Sequence, residues 1–108
     1  MNNRAFAAAI RFAENKGFNV VHKDVENMTL FFTDDADYMH IALVSITDEH
    51  TEEHVSPALF NKAFQTLPLV AKENDIHMLS LDTIKFVIVG GDHAVLQFHQ
   101  NATGGMAA

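Results

Sequence analysis

The chain has 108 residues, 48% of them hydrophobic, which predicts one domain with a single core that buries roughly two thirds of the unfolded surface. Its formal charge of -7, from 14 acidic and 7 basic residues, disfavours nucleic acid as a partner because an acidic surface repels phosphate backbones. The absence of cysteine excludes disulfides, cysteine-ligated zinc and thiol catalysis, and it is compatible with a reducing cytosol.

The first predicted element is an amphipathic helix within AFAAAIRFAENKG that ends at about Lys16. Apolar residues follow the i, i+3, i+4, i+7 spacing of one helical face, and Gly17 favours a left-handed stop. The apolar run is only six residues long and Glu14 follows it closely, which predicts neither a signal peptide nor a membrane span. We therefore expect a cytoplasmic protein without a membrane partner. The apolar face consists of Phe6, Ala9, Ile10 and Ala13.

Two strands, FNVVH and MTLFFT, are predicted next, followed by the acidic turn DDADY and the longer apolar run YMHIALVSI. The turn joins the last two strands into a hairpin. In the long run both alternating sets of side chains are largely apolar, so this strand is predicted to be central in a sheet and covered on both faces. The two sets are Met39, Ile41 and Leu43, and Ala42, Val44 and Ile46.

A second helix is predicted in SPALFNKAFQTLPLVAKEND, with Ser56 as the N-cap and Pro57 at the first helical position. Pro68 removes a backbone hydrogen bond, so we expect a kink or a restart of the helix near Thr66. TIKFVIV, the turn GGDH and AVLQFH then predict a second hairpin. The predicted buried face of the helix consists of Leu59, Phe60, Ala63, Phe64 and Leu67.

These elements predict an α/β (α+β) domain with one mixed sheet, in the order α-β-β-β-α-β-β. The hairpin from Met28 to Ile46 is expected to form the principal strand pair of the sheet. The two helices are expected to pack on opposite faces, because a strand with two apolar faces must be covered on both sides. The single globular domain is expected to span residues 1–102, and residues 103–108 are expected to form a flexible C-terminal tail.

The stretch HTEEH matches the zinc-peptidase motif H-x-x-E-H, in which the two histidines bind zinc and the glutamate acts as a base. That motif requires a helix, whereas this segment lies before the second helix and has no apolar face. We therefore expect residues 48–54 to form a mobile, solvated loop without a structural metal. If the chain has a metal site at all, its candidate ligands are His50, Glu53 and His54.

The acidic turn contains a D-x-D fragment, but it lacks the glycine and the distal glutamate of a calcium loop, so its aspartates are interpreted as turn formers. The remaining histidines are interpreted as structural, since none is spaced from a serine and an aspartate as in a triad. Gly90 and Gly91 form a turn, because no helix start follows them. The turn aspartates are Asp34, Asp35 and Asp37, and the histidines are His22, His40, His77, His93 and His99.

Four stretches of the sequence carry a resemblance to a known family: AFAAAIRFAENKGFNVV, MTLFFTDDADYMHIALVSI, HVSPALFNKAFQ and IKFVIV. In this order they resemble the opening helix, the G-E-I-D-L-I and F-V-E-V-K strands, the V-x-x-x-K segment and the R-F-D-V-V strand of the YraN-type proteins. Lys62 stands at the lysine of the third segment. The YraN-type proteins are small bacterial proteins of the restriction-endonuclease-like (PD-(D/E)xK) fold. The resemblance runs from Ala5 to about Ala102 and implies that fold for this chain.

The residues that would give such a protein nuclease activity are missing from this sequence. The family's metal-binding cluster uses a glutamate of the opening helix, the aspartate of G-E-I-D, and the glutamate and lysine of E-V-K. Aligned on Gly17, these positions fall at Phe6, at about Thr29 and within Ala42 to Ile46, which contains no acid and no lysine. The resemblance therefore implies a divergent member that has the nuclease fold without its catalytic residues.

Three functions are compatible with these observations. The first is a catalytically silent nuclease-fold protein that acts as a binding or interaction module for an unknown protein partner or for a second copy of itself, with no catalytic residue and no cofactor. The second is a metal-dependent hydrolase that uses His50, Glu53 and His54. The third is a nucleic-acid-binding protein that has lost nuclease chemistry, which the net charge disfavours.

Overall fold

The computed structural model describes residues 3–36, 38–48, 57–73, 78–90 and 93–100. They form two α-helices and five β-strands, and a short 3-10 helix at Pro57–Phe60 leads into the second α-helix. None of the described helices is both long enough and apolar enough to cross a lipid bilayer. In chain order the elements are α1 (Asn3–Asn15), β1 (Asn19–Asp24), β2 (Thr29–Thr33), β3 (Tyr38–Asp48), α2 (Asn61–Glu73), β4 (Met78–Val89) and β5 (His93–His99).

The five strands form one mixed sheet in the spatial order β1-β2-β3-β4-β5. Neighbouring strands are antiparallel except β3 and β4, which are parallel. Parallel neighbours cannot be joined by a tight turn, and α2 lies in the connection between them. The chain is thus a mixed α+β domain, and the prediction that the long apolar strand is central is confirmed, since β3 pairs with β2 on one side and β4 on the other.

Each face of the sheet carries its own hydrophobic core. On the α1 face, α1 packs against Leu30, Ala42 and Ile84. On the α2 face, residues of α2 and of the 3-10 helix pack against Phe31 and Ile41. Alternation of side chains along a strand separates the two sets. The prediction that the helices lie on opposite faces is therefore confirmed, and both faces of β3 are covered as predicted except at Ile46, which is 41% exposed.

The end of α1 follows from one glycine. Gly17 has φ +87°, a left-handed conformation that residues with a Cβ adopt at a cost. The amide of Gly17 donates to the carbonyl of Glu14, and the amide of Phe18 donates to the carbonyl of Ala13. These two bonds form the Schellman motif, which satisfies carbonyls at the helix end and turns the chain into β1.

Four details differ from the sequence-based expectations. Leu59, predicted to be buried, is 49% exposed and belongs to the 3-10 helix that precedes α2. α2 continues through Pro68, so the helix does not restart near Thr66. β4 begins at Met78, five residues earlier than predicted, and β3 continues to Asp48. The predicted N-cap Ser56 and the predicted tail at residues 103–108 lie outside the described residues.

Candidate functional site

A cluster of four polar side chains interrupts the apolar α1 face. It consists of Asp34, His40, Ser80 and Asp82, and we call it the His40 cluster. His40 lies near the start of β3, opposite Ser80 of β4, and Asp82 lies two residues further along β4. Because side chains two residues apart share a face of the sheet, Ser80 and Asp82 point to the same side. Asp34 reaches His40 from the turn between β2 and β3.

Each ring nitrogen of His40 contacts a carboxylate. Nδ1 lies 2.6 Å from Oδ2 of Asp82, and Nε2 lies 2.9 Å from Oδ2 of Asp34. Carboxylates accept hydrogen bonds, so both contacts are satisfied at once when the ring carries two protons as imidazolium. The hydroxyl of Ser80 donates to Oδ1 of Asp82 at 2.5 Å. His40 is 3% exposed and Asp82 is fully buried, so the hydrogen bonds of this cluster form away from water.

Two aromatic rings cover the imidazole of His40. The ring of Phe32 stacks on it with centroids 5.0 Å apart and planes 10° apart. The ring of Phe18 stacks at 5.4 Å and 30°. A cationic ring against aromatic faces is favourable, and the stacked rings also separate the imidazole from solvent. His40 is therefore held in one orientation and has little room for a substrate.

Asp34 connects the His40 cluster to the acidic turn. Its second oxygen, Oδ1, accepts hydrogen bonds from the amides of Ala36 at 2.9 Å and Tyr38 at 3.1 Å. An aspartate that accepts from amides two and four residues ahead stabilises a tight turn. One carboxylate thus fixes the β2–β3 turn and orients His40. This agrees with the interpretation of the D-x-D fragment as a turn; Asp37 lies outside the described residues.

The pKa values of two groups shift in the directions that favour their charged forms. Burial by itself lowers the pKa of His40, but hydrogen bonds to Asp82 and Asp34, together with their negative charge, outweigh it and raise the pKa above its ordinary value. Burial by itself raises the pKa of Asp34, but the hydrogen bonds from His40 and from the amides of Tyr38 and Ala36, together with the charge of His40, outweigh it and lower the pKa below its ordinary value. Both shifts favour an ion pair between imidazolium and carboxylate.

This geometry is that of a buried structural ion pair and not that of a catalytic triad. In a triad a histidine nitrogen accepts the proton of the serine hydroxyl, whereas the hydroxyl of Ser80 donates to Asp82 and both nitrogens of His40 face carboxylates. The interpretation of His40 as a satisfied structural histidine agrees with this arrangement. Within the ranges that the structure describes, no group of three or more histidines, aspartates or glutamates is arranged to hold a metal ion.

Four buried apolar side chains lie together on the α1 face. Phe6 of α1, Leu30 of β2, and Ala42 and Val44 of β3 belong to one buried hydrophobic cluster. The position expected for the aspartate, about Thr29, is buried but points to the α2 face by strand alternation and so does not join Phe6. Its neighbour Leu30 lies on the α1 face with the other three. Each of these four positions therefore holds a buried apolar side chain.

The other predicted site residues are not brought into this region by the structure. His50, Glu53 and His54 lie outside the described residues, as does Glu49. Asp48 is the exposed last residue of β3, and Asp35 is exposed in the β2–β3 turn. Lys62 is exposed on α2, on the opposite side of the sheet from Phe6. Among the described acids, Asp82 lies opposite Ala42 on the same face of the sheet, and its carboxylate is hydrogen-bonded to His40 and Ser80.

Sequence reasoning missed the partners of His40, although a signal was present. Asp82 and His40 are ionisable residues that interrupt apolar strand sequences, and such residues are buried only when they are paired. The comparisons with known proteins add no functional assignment: no protein-family model matches the chain, and no curated protein is significantly similar to it.

Proposed function

We propose that the chain is a catalytically silent protein of the restriction-endonuclease-like fold, related to the YraN-type proteins, that acts as a binding or interaction module. Its support in the architecture is a helix followed by three antiparallel strands and a crossover through α2 into a parallel fourth strand. Fold alone does not determine activity, so the proposal depends on the site.

The observation that carries the proposal is the apolar cluster of Phe6, Leu30, Ala42 and Val44. Hydrolysis of a phosphodiester requires metal ions or cationic groups held against the developing negative charge. Magnesium in turn requires carboxylate or other oxygen ligands in octahedral geometry. The four side chains offer hydrocarbon only, and the buried carboxylate opposite Ala42, that of Asp82, is hydrogen-bonded to His40 and Ser80. This region of the fold is therefore suited to holding the sheet and α1 together.

The charge of the chain favours a protein or small-molecule partner over nucleic acid. A net charge of -7 repels the phosphate backbone at long range, and this repulsion lowers both the affinity and the rate of association. The hydrolase alternative depends on His50, Glu53 and His54, which lie outside the described residues. A binding role requires none of the missing carboxylates.

A cleavage assay tests the proposal. Purified protein is incubated with single-stranded, double-stranded and branched DNA, and with RNA, in magnesium or manganese. We expect no divalent-metal-dependent cleavage above the background of a mock purification. Two variants, Asp35→Ala and Glu49→Ala, identify a contaminating nuclease, because a contaminant is indifferent to them. Cleavage that disappears with either substitution would show that carboxylates outside the expected positions form an active site, and the proposal would be wrong.

A further inference from the structure

An open groove of about 600 Å³ lies on the α1 face, between α1 and the strands β4 and β5. Its floor is hydrocarbon from the sheet, contributed by Ile46, Phe86, Ile88 and Leu96. Ile46 is 41% exposed even though it belongs to the apolar alternation of β3. This end of the sheet thus presents apolar side chains that α1 leaves partly uncovered.

The groove exists because the side of α1 that borders it is built from alanine. Ala5, Ala7 and Ala8 line it, and a methyl group fills little of the space between a helix and a sheet, which leucine or phenylalanine would fill. Phe86 is buried at the base, while Ala94 of β5 is exposed at the edge. The result is a concave apolar surface of the size that small-molecule sites have, roughly 300–1,000 Å³.

Positive charge is concentrated at this groove. Arg4 and Arg11 are the two arginines of the whole sequence, and both line it. They are seven residues apart, so they lie on one side of α1 about 10 Å from each other along the helix axis. Arg11 forms no ion pair with any residue in the part of the chain that the structure describes. On a protein with a net charge of -7, the two arginines thus make the groove a local site for an anion.

We infer that the groove binds a small amphipathic carboxylate, with an aliphatic tail along the floor and a carboxylate at the arginine side. This inference rests on the proposed role as a binding module and names the chemical class of its ligand. A guanidinium group matches a carboxylate with two parallel hydrogen bonds, whereas a lysine acts as a point charge. The floor contributes affinity because it buries the hydrocarbon tail, and Arg11 makes the groove selective for a carboxylate head group.

Two other occupants fit the groove less well. A nucleic acid would place its phosphates against an acidic protein and would leave the apolar floor without a partner. A second copy of the chain would bring another net charge of -7 to the surface, which opposes association. An aliphatic carboxylate satisfies both features of the groove with a single negative charge.

The inference is tested by titrating the whole protein with decanoate and following backbone amide shifts by NMR. We expect saturable binding of one decanoate per chain, with the shifts concentrated in α1, β4 and β5. Decan-1-ol, which has the same tail without the charge, should bind about tenfold more weakly, since a charge-assisted pair contributes an amount equivalent to one order of magnitude. Decyltrimethylammonium should be weaker again, because its charge is repelled by the arginines.

Three variants locate the site, each first shown by urea unfolding to be folded. Arg11→Gln should weaken decanoate binding about tenfold and leave decan-1-ol binding unchanged. Lys62→Gln removes the same charge from an exposed position on α2 and should have no effect. Ala8→Phe adds a ring to the side of α1 that borders the groove and should reduce binding of both ligands by blocking the floor.

The inference is overturned if decanoate shows no saturable binding, if it binds no more tightly than decan-1-ol, or if Arg11→Gln binds it as tightly as the unchanged protein. A concentration-dependent dimer whose shifts map to the groove in the absence of ligand would identify a second copy as the occupant and would overturn it as well. Failure here is distinct from failure of the proposed function, because the cleavage assay reads chemistry on nucleic acid and not occupancy of the groove.

Discussion

Replacement of His40 by alanine should cost about 3–5 kcal/mol of unfolding free energy. The substitution removes the imidazolium that lies 2.6 Å from a carboxylate with no solvent exposure, Asp82. Breaking a buried ion pair by removing one partner costs about 3–5 kcal/mol, because a buried charge is left behind. Domains of this size have a stability of about 5–15 kcal/mol, so the variant should lose a large part of it.

The same pair predicts how stability depends on pH. The pKa of folded His40 is raised above its unfolded value, so its contribution is complete below about pH 6.5 and is lost as pH rises through the folded pKa. One proton limits the slope to about 1.4 kcal/mol per pH unit. The pKa of Asp34 is lowered, so its contribution is present above about pH 4 and is lost as pH falls through the folded pKa. His40→Ala should remove the alkaline slope.

Urea unfolding followed by circular dichroism at about pH 5.5 and about pH 9 measures both effects. The difference in unfolding free energy between the protein and His40→Ala should be larger at the lower pH. His99→Ala is the matched control, because His99 is exposed and its one described side-chain contact, from Nε2 to Oε1 of Gln97 at 3.4 Å, is long. A loss below about 1 kcal/mol, or a difference that does not change with pH, would refute the assignment of a buried imidazolium.

Three further substitutions test the packing of the fold by the same urea assay. Gly17→Ala should cost about 1–2 kcal/mol of unfolding free energy, because φ is +87° and nothing lies within 4 Å of an added Cβ, so the cost comes from the backbone alone. An unchanged urea midpoint would contradict this. Pro68→Ala should stabilise the protein by about 1–3 kcal/mol by restoring a backbone hydrogen bond within α2, and a loss of stability would show that the proline is accommodated by its surroundings. Phe6→Glu should cost at least about 3 kcal/mol because it buries a carboxylate among hydrocarbon, whereas Ala7→Glu, on the exposed side, should be nearly neutral; equal effects would contradict the burial of Phe6.

The main features of the fold could be predicted because they depend on local patterns. Apolar side chains on both alternating sets of residues 38–46 required a central strand, and β3 is central. Gly17 predicted the end of α1 because the residue that closes such a helix has a left-handed conformation. In both cases a few neighbouring residues carry the information, and the structure follows from their spacing.

The features that could not be predicted depend on contacts between distant residues. His40 and Asp82 are 42 residues apart, and they meet because β3 and β4 are parallel neighbours with His40 opposite Ser80. The predicted strand began at Thr83, so the part of β4 that carries Ser80 and Asp82 was not recognised as strand. The groove depends on the lateral position of α1 over the sheet, which periodicity does not determine.

We propose that apolar packing occupies the place where nucleases of the restriction-endonuclease-like fold bind metal, and titration with Mn²⁺ followed by amide NMR tests this proposal. A bound paramagnetic ion broadens the amide signals nearest to it. We predict no selective broadening at Phe6, Leu30, Ala42 or Val44 when Mn²⁺ is raised through the micromolar range, because their side chains provide no oxygen ligand. Selective, saturable broadening at these four amides, reversed by a chelator, would reveal a metal site there and contradict the proposal.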